Sequence, residues 1–342
     1  MLLPESVAHY GENQEVHRMQ ASKLIVVAAF LAGVGATALA QWDVRDYPGS
    51  DFEGPAFVFE EVAADIYQAR ATGTLMAGSN AAVIVNADDV VIVDSYISPV
   101  AAAAMAQELT AITDKPIRYV INTHFHFDHA HGNQVYPPEV QIIGHEFTYD
   151  MLVNGGSVGR SYERFADWIA SVPGGPEGQQ GLIPTAPNMT LSEGMTLYGG
   201  GREIRLLFLG RGHTGGDVVV YLPAEKILIT GDLLLEGVPF MGDAYPAEWI
   251  DTLDKIKTLD FDVVVPGHGR PFSDRGRIDR LQSLLTDVWE KALDSCKQNL
   301  SAEQATDRID LTDHSTAYPE ITEPGAPLGV VERIYDLRDC EP

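Results

Sequence analysis

The chain is poor in cysteine: among its 342 residues only Cys296 and Cys340 carry thiols. At most one internal bridge can form, and neither has His or Cys neighbours that would suggest a metal site. A bridge and two free thiols both remain open. The chain is also short of positive charge, with 23 Lys and Arg against 49 Asp and Glu and a formal charge of −26. That balance argues against nucleic-acid backbones and anionic membrane surfaces as partners, which carry the same sign. Solubility is the plain reading of the charge, and no substrate follows from it. Long apolar runs are missing as well. The longest, Leu24–Leu39, has about 16 residues, short of the ~20 that span a bilayer, and it contains Gly33 and Gly35. No short-period repeat is present. What remains is the composition of a soluble globular protein, 45% hydrophobic and 21% charged.

The short apolar run has another use. Lys23 precedes it, and it ends in Ala38-Leu39-Ala40 before Gln41. A positive start, an apolar stretch and an A-x-A ending describe a secretory signal peptide over residues 1–40. Residues 1–18 hold Glu5, Glu12 and Glu15 and fit that pattern poorly, so Met19 is the better translation start. The expectation is a mature protein from Gln41, periplasmic or secreted, with no stable membrane insertion after cleavage.

Local patterns place the elements. Ala81–Val85 and Val90–Val93 flank a turn and read as a hairpin. Pro99–Thr110 reads as a helix opened by Ser98 or Pro99. Ile117–Ile121, Val140–Ile143, Leu191–Tyr198, Glu203–Leu209 and Val263–Val265 read as strands, and Val218–Leu222 with Ile227–Ile229 as a second hairpin. Phe147–Val153 and Tyr162–Ala170 look helical, and Pro173–Pro187 is a long loop. Trp249, Leu253 and Ile256 share one helical face after Pro246. Ile278, Leu281, Leu285, Val288 and Trp289 stripe a long helix, and Ser301 to Gln304 forms a capping box. Two halves of similar make-up suggest two sheets face to face with helices outside. The expected domain is 41–273, followed by a helical extension over 274–342.

Chemistry concentrates in THFHFDHAHGN, Thr123–Asn133. Of ten histidines in the chain, His124, His126, His129 and His131 fall within eight positions, with Asp128 among them. Chance does not gather them so. If the segment continues the strand Ile117–Ile121, His124 and His126 face one side. A turn into a helix near Asp128 lets Asp128 and His129 address a second point. Imidazoles with a carboxylate suit zinc, with iron or manganese possible. His131 is a bystander or a support. Further donors stand alone beside strand ends in glycine-bearing turns: His213, Asp232 and His268. Asp94 also ends a strand, where a carboxylate orients a ligating histidine.

On these residues the chain resembles the metallo-β-lactamase-fold hydrolase superfamily. The signature H-x-H-x-D-H matches His124, His126, Asp128 and His129, and the family's later His, Asp and His match His213, Asp232 and His268. Its opening strand-end Asp matches Asp94. The resemblance covers roughly Phe57 to Pro271. It implies an α/β fold, the αββα four-layer sandwich, with two Zn²⁺ ions at one edge. His124, His126 and His213 would hold one ion, Asp128, His129 and His268 the other, and Asp232 would bridge them. Bridging hydroxide would then attack an ester, thioester, lactone or lactam carbonyl of a small-molecule substrate, with Asp128 aiming it. The complete ligand set looks more like the glyoxalase II, lactonase and phosphodiesterase branches than the β-lactamase subclass with Cys in place of Asp232. A periplasmic β-lactamase proper and an iron-dependent oxidoreductase are the alternatives. Phe240, Met241 and Tyr245 are expected at the pocket mouth, Gly155–Pro187 as a lid, and the oligomeric state is open.

Overall fold

The computed structural model of the protein describes residues 42–154, 170–171 and 179–340. The expected signal peptide over 1–40, with Met19, lies outside them, as do nearly all of the expected Tyr162–Ala170 helix and the first part of the expected lid. Among the described residues no helix is long and apolar enough to cross a membrane.

Twelve described strands form two sheets. The first runs in the order β1 (Phe57–Ala63), β2 (Ile66–Ala71), β3 (Ala81–Val85), β4 (Val90–Val93), β5 (Ile117–Ile121), β6 (Gln141–His145), β7 (Met189–Leu191). The second runs β12 (Val263–Pro266), β11 (Ile227–Gly231), β10 (Val218–Leu222), β9 (Arg202–Phe208), β8 (Gly194–Gly199). The helices are α1 (Pro99–Leu109), α2 (Phe127–Ala130), α3 (Glu146–Asn154), α4 (Pro246–Lys257), α5 (Gly276–Lys297), α6 (Ala302–Thr306) and α7 (Leu328–Leu337). β1 to β4 are joined by antiparallel pairings, whereas β4, β5, β6 and β7 pair in parallel. Parallel neighbours need a crossover, and α1 supplies it between β4 and β5. Ser98 caps that helix by accepting the Ala101 N–H, and Pro99 takes its first turn.

The period of two decides what packs where. Val218, Val220 and Leu222 of β10 face the core between the sheets, with Val91, Val93, Ile121 and Ile143 opposite. Val219 and Tyr221 of the same strand face the other way, into a second core with α4, α5 and α7. Both faces are therefore apolar, and β10 reads as an unbroken run, VVVYL. In α4 the stripe Trp249, Leu253, Ile256 is completely buried. Each such side chain contributes roughly 1.5–3 kcal/mol relative to exposure.

One expectation changes, and two elements had not been expected. The expected strand Leu191–Tyr198 is two strands broken at Ser192–Glu193, and β7 and β8 edge different sheets. Apolar pattern does not tell which sheet a residue joins. The hairpin β1–β2 went unforeseen because Glu60 and Glu61 interrupt its alternation and one face is half-exposed. The helix α7 also went unforeseen. Beyond α5, Ser301 and Gln304 do form the capping box. Cys296 and Cys340 are bonded to one another across a separation of 44 residues. Closing a loop of that length restricts the unfolded chain and contributes up to about 4 kcal/mol.

Candidate metal centre

Four strands deliver their C-terminal ends to one edge of the sandwich. Asp94 follows β4, Thr123 to His129 follow β5, Asp232 follows β11 and His268 follows β12. β4 and β5 are parallel, as are β11 and β12, so each pair ends on the same side. His213 joins from the connection between β9 and β10. The halves are stitched here: Val218 N–H donates to Thr123 O at 2.7 Å, and Asn80 N–H to Gly267 O at 2.7 Å.

His124 and His126 do not continue β5 as an extended strand. The Asn122 N–H still pairs with Ile143 O, but the Thr123 N–H turns to Asp94 Oδ1 at 2.8 Å, and residues 122–126 become a loop. The two rings converge nonetheless. Asp128 and His129 sit on the single turn of α2, as expected. Two glycines make room. A Cβ on Gly267 would overlap Asp232 Oδ1 and crowd His129, and one on Gly231, whose φ is +50°, would overlap Thr123 Oγ1.

Hydrogen bonds around the histidines determine which nitrogens are bare. Asp94 is buried and its backbone is left-handed, with φ of 68°. Its carboxylate accepts the Thr123 N–H, the Thr123 hydroxyl at 2.8 Å and the His129 Nδ1–H at 2.8 Å. The Thr123 hydroxyl spends its proton on Asp94, so it accepts from His124 Nδ1 at 3.0 Å. His126 Nε2 donates to Asp243 Oδ2 at 2.8 Å. Each of these rings thus carries its proton away from the centre. His124 Nε2 and His126 Nδ1 then meet at 3.1 Å, and His213 Nε2 lies 3.0 Å from His126 Nδ1. In the first of these contacts two lone pairs face each other and cannot hydrogen-bond, whereas His213, whose Nδ1 has no partner, can donate to His126 from Nε2 until a metal takes that place. A metal at the usual zinc–nitrogen distance holds tetrahedral ligands about 3.3 Å apart, close to what is seen.

The second set carries the acid. His268 Nε2 lies 3.2 Å from Asp128 Oδ2 and 3.3 Å from Asp232 Oδ2, and His129 Nε2 lies 3.5 Å from Asp128 Oδ2 and from Asp232 Oδ1. Asp232 Oδ2 also stands 3.6 Å from His213 Nε2, so one carboxylate faces both sets. His129 Nε2 and Asp232 Oδ1 are buried with no hydrogen-bond partner. Such orphans are costly without a cation. The groupings His124–His126–His213, His124–His129–Asp232 and Asp128–His129–His268 are each compact enough to hold an ion. All seven expected ligands are brought together.

The two sets differ in charge. Burial, with His129, His126 and His213 nearby, pushes His124 well down, and burial with His126 brings His213 to about 3. The Asp232 carboxylate, with Asp128, raises His268 to about 11. For His129 burial pushes down, but Asp128, Asp232 and Asp94 outweigh it and lift the ring to about 9. At neutral pH, then, in the metal-free protein His129 and His268 carry the second proton of an imidazolium, and His124 and His213 are neutral rings. A metal ligand must be bare. Filling the acidic set is expected to release about two protons, and its apparent Kd to rise about 100-fold per pH unit as pH falls below about 9. Filling the three-histidine set draws no proton from His124 or His213. Calorimetric titration with zinc in buffers of different ionisation enthalpy measures this. Equal proton release at both steps would contradict the assignment.

His131 is a bystander to this convergence. It is buried, its ring is held down at about 4 chiefly by burial, and it belongs to none of the three groupings. Of the side chains expected at the mouth, Phe240 is 45% exposed and meets the His126 ring edge-on, with centroids 5.7 Å apart. Met241 instead belongs to the core with α4, α5 and α7, and Tyr245 is buried between Arg211 and Arg333. The loop turns after Phe240 and aims its neighbours inward. Asp243 was not foreseen: no local pattern marks it, and 117 residues separate it from His126.

Residues 76–268 match the metallo-beta-lactamase superfamily. A linear primary-alkylsulfatase of Pseudomonas sp. is 26% identical over 68% of this chain and 50% of its own length. A type 2 metallo-beta-lactamase of Bacteroides fragilis is 24% identical over 59% of this chain and 73% of its own. The chain spans about half the length of the alkylsulfatase and of a 2,4-dinitroanisole O-demethylase alpha subunit from Nocardioides sp. that it also matches. Among solved structures, a sec-alkylsulfatase from Pseudomonas sp. superposes with a TM-score of 0.62 at 17% identity, covering 82% of this chain and 50% of that one. A metallo-beta-lactamase from Pontibacter korlensis gives 0.53 at 20% identity, covering 67% and 99%. With the matched segment spanning both sheets and all seven converging side chains, this chain belongs to the metallo-beta-lactamase superfamily.

Proposed function

We propose that this protein is an exported zinc-dependent hydrolase that cleaves an ester, thioester, lactone or lactam carbonyl in a small molecule. The observation that carries this reading is the placing of Asp232 between two converging sets of metal-donor side chains. Bound there, two divalent ions would polarise the carbonyl oxygen and bring water to a reactive pKa near neutrality. The chain's own residues do the rest. His124, His126 and His213 form the neutral set, and Asp128, His129 and His268 the acidic one. His129 and His268 outweigh burial and hold Asp128 below the usual carboxylate range, so it stays ionised and accepts a hydrogen bond from the attacking water. Phe240 supplies apolar surface beside the His126 ring. The Cys296–Cys340 bond supports an oxidising location outside the cytoplasm.

A sulfate ester is the second reading, favoured by the identity shared with the alkylsulfatase over two thirds of this chain. The test is a panel on the 41–342 protein loaded with zinc: a chromogenic ester, thioester, lactone, cephalosporin and sulfate ester, each with and without chelator. One carbonyl substrate is expected to show kcat/KM within the ~10⁴–10⁸ M⁻¹s⁻¹ range of evolved enzymes, and chelation to abolish it. Turnover of the sulfate ester alone would move the protein to the second reading. No chelator-sensitive turnover on any, from protein shown to hold two metals, would sink both.

A further inference from the structure

The loop that supports His126 is held by the chain's last segment. Between β11 and α4, residues 232–245 carry Asp232, Phe240 and Asp243. Besides the Tyr245 N–H to Gly212 O at 2.8 Å, the Trp249 Nε1–H to Leu233 O at 3.1 Å and the His126–Asp243 bond, three ties reach this loop from beyond residue 273. Arg277 pairs with Glu236 at 3.4 Å, Glu320 accepts the Val238 N–H at 2.6 Å, and Arg333 Nε donates to Ala244 O at 2.9 Å. The first two are exposed and worth little against water. The third is not. Arg333 is 7% exposed, makes no ion pair among the described residues, and lies over the Tyr245 ring at 4.6 Å. A cation buried beside a peptide carbonyl and an aromatic face holds both firmly. Ala244 is the next residue after Asp243, whose side chain is buried and bonded to His126 Nε2. Arg333 itself sits on α7, packed through Val330, Val331 and Ile334 into the core shared with Met241 and Ala244. The Cys296–Cys340 bond ties Cys340, three residues beyond α7, to the end of α5.

We propose that the segment after residue 297 is a brace for the metal centre, with Arg333 as a positioning residue that sets Asp243 and, through it, the bare nitrogen of His126. The ring of His126 keeps its proton on Nε2 only while Asp243 accepts it, and only then does Nδ1 face His124 and His213. Loosening the peptide at Ala244 lets Asp243 swing, and the three-histidine set loses its alignment. This inference rests on the proposed function for the identity of the metal but not for the brace itself.

The test uses the 41–342 protein with zinc alone as the probe. Arg333→Met keeps an apolar chain over Tyr245 and removes the donor to Ala244 O. Its zinc Kd at the three-histidine set is expected to rise on the order of 10-fold or more, as for other partners of ligating side chains. Amide hydrogen exchange over 237–245 is expected to quicken. Arg333→Lys, which keeps a donor, is expected to restore part of both and serves if the Met variant does not fold. Tyr335→Phe is the control. It removes the bond from the Tyr335 hydroxyl to Leu300 O at 3.1 Å in the same helix without touching the loop. It is expected to lower Tm while leaving zinc affinity and loop exchange unchanged. Unchanged zinc affinity in Arg333→Met, or an equal loss in Tyr335→Phe, would overturn the brace. If the wild type binds no zinc, the proposed function fails, and the exchange comparison alone decides the brace: no quickening over 237–245 refutes it.

Discussion

Replacing Asp232 by asparagine is expected to lower kcat/KM by about 10³-fold or more and to cut bound zinc from about two ions per chain to about one. The substitution keeps the shape of the side chain and removes its charge. Asp232 Oδ2 is shared, 3.3 Å from His268 Nε2 and 3.6 Å from His213 Nε2, while Oδ1 is buried without a hydrogen-bond partner, 3.5 Å from His129 Nε2. An amide nitrogen cannot ligate and would present protons to nitrogens that need to be bare. The acidic set then keeps only one carboxylate, Asp128, against two histidines. A deficit of several kcal/mol in transition-state charge stabilisation corresponds to about 10³-fold in rate. Steady-state kinetics with elemental analysis of the purified variant measures both effects. Two zinc ions still bound with kcat/KM within tenfold of the wild type would remove Asp232 from the shared role.

The second large effect is expected at a residue that touches no substrate. Asp94→Asn is expected to reduce kcat/KM by about 10²–10⁴-fold and to lower stability by about 3 kcal/mol. Asp94 gathers three donors: the Thr123 N–H, the Thr123 hydroxyl and the His129 Nδ1–H. An amide has one acceptor oxygen and adds two donors of its own. If its oxygen serves Thr123, its NH₂ meets Nδ1 of His129, and the ring answers by moving its proton to Nε2. That atom is the one aimed at Asp128 and Asp232, so the imidazole faces the metal position in the wrong tautomer. Losses of this size follow when the carboxylate that orients a histidine becomes an amide. The stability loss follows from leaving a buried donor unpaired. Urea titration and the pH dependence of kcat/KM test the two parts separately. A variant with normal stability and normal activity would show that Asp94 is a spectator.

These two residues were legible in the chain because their signals are local. Asp94 and Asp232 each end a short β-branched strand, and the parallel pairing of each strand with its neighbour brings the ends to a common edge. The ligands His124, His126, Asp128 and His129 are also local, since five adjacent bonds set their relative positions once β5 stops. Helices α1, α4 and α5 are local in the same sense: a cap, a proline at the first turn and a 3.6-residue stripe suffice.

Three features stood outside that reach. The segment Leu191–Tyr198 has a continuous strand-like pattern, yet Ser192–Glu193 breaks it between two sheets. Pattern records burial and not the partner that buries. Met241 and Tyr245 looked like mouth residues by their place after Asp232, and only the turn after Phe240 sends them inward. Asp243 and Arg333 carry no signal at all, because a lone acid or arginine in a sequence is almost always a surface residue.

By itself the sequence determined most of the elements, the donor atoms available and the ends of the strands on which they sit, because each depends on spacing along a few residues. The tertiary structure alone decided which nitrogen of His124, His126 and His129 faces the centre without its proton. That choice belongs to hydrogen bonds between residues far apart in the chain, such as His129 with Asp94 and His126 with Asp243. It decided as well that Cys296 and Cys340 meet and that Arg333 reaches Ala244. Proton position and partner choice are properties of distance in space, and spacing along the chain does not encode them.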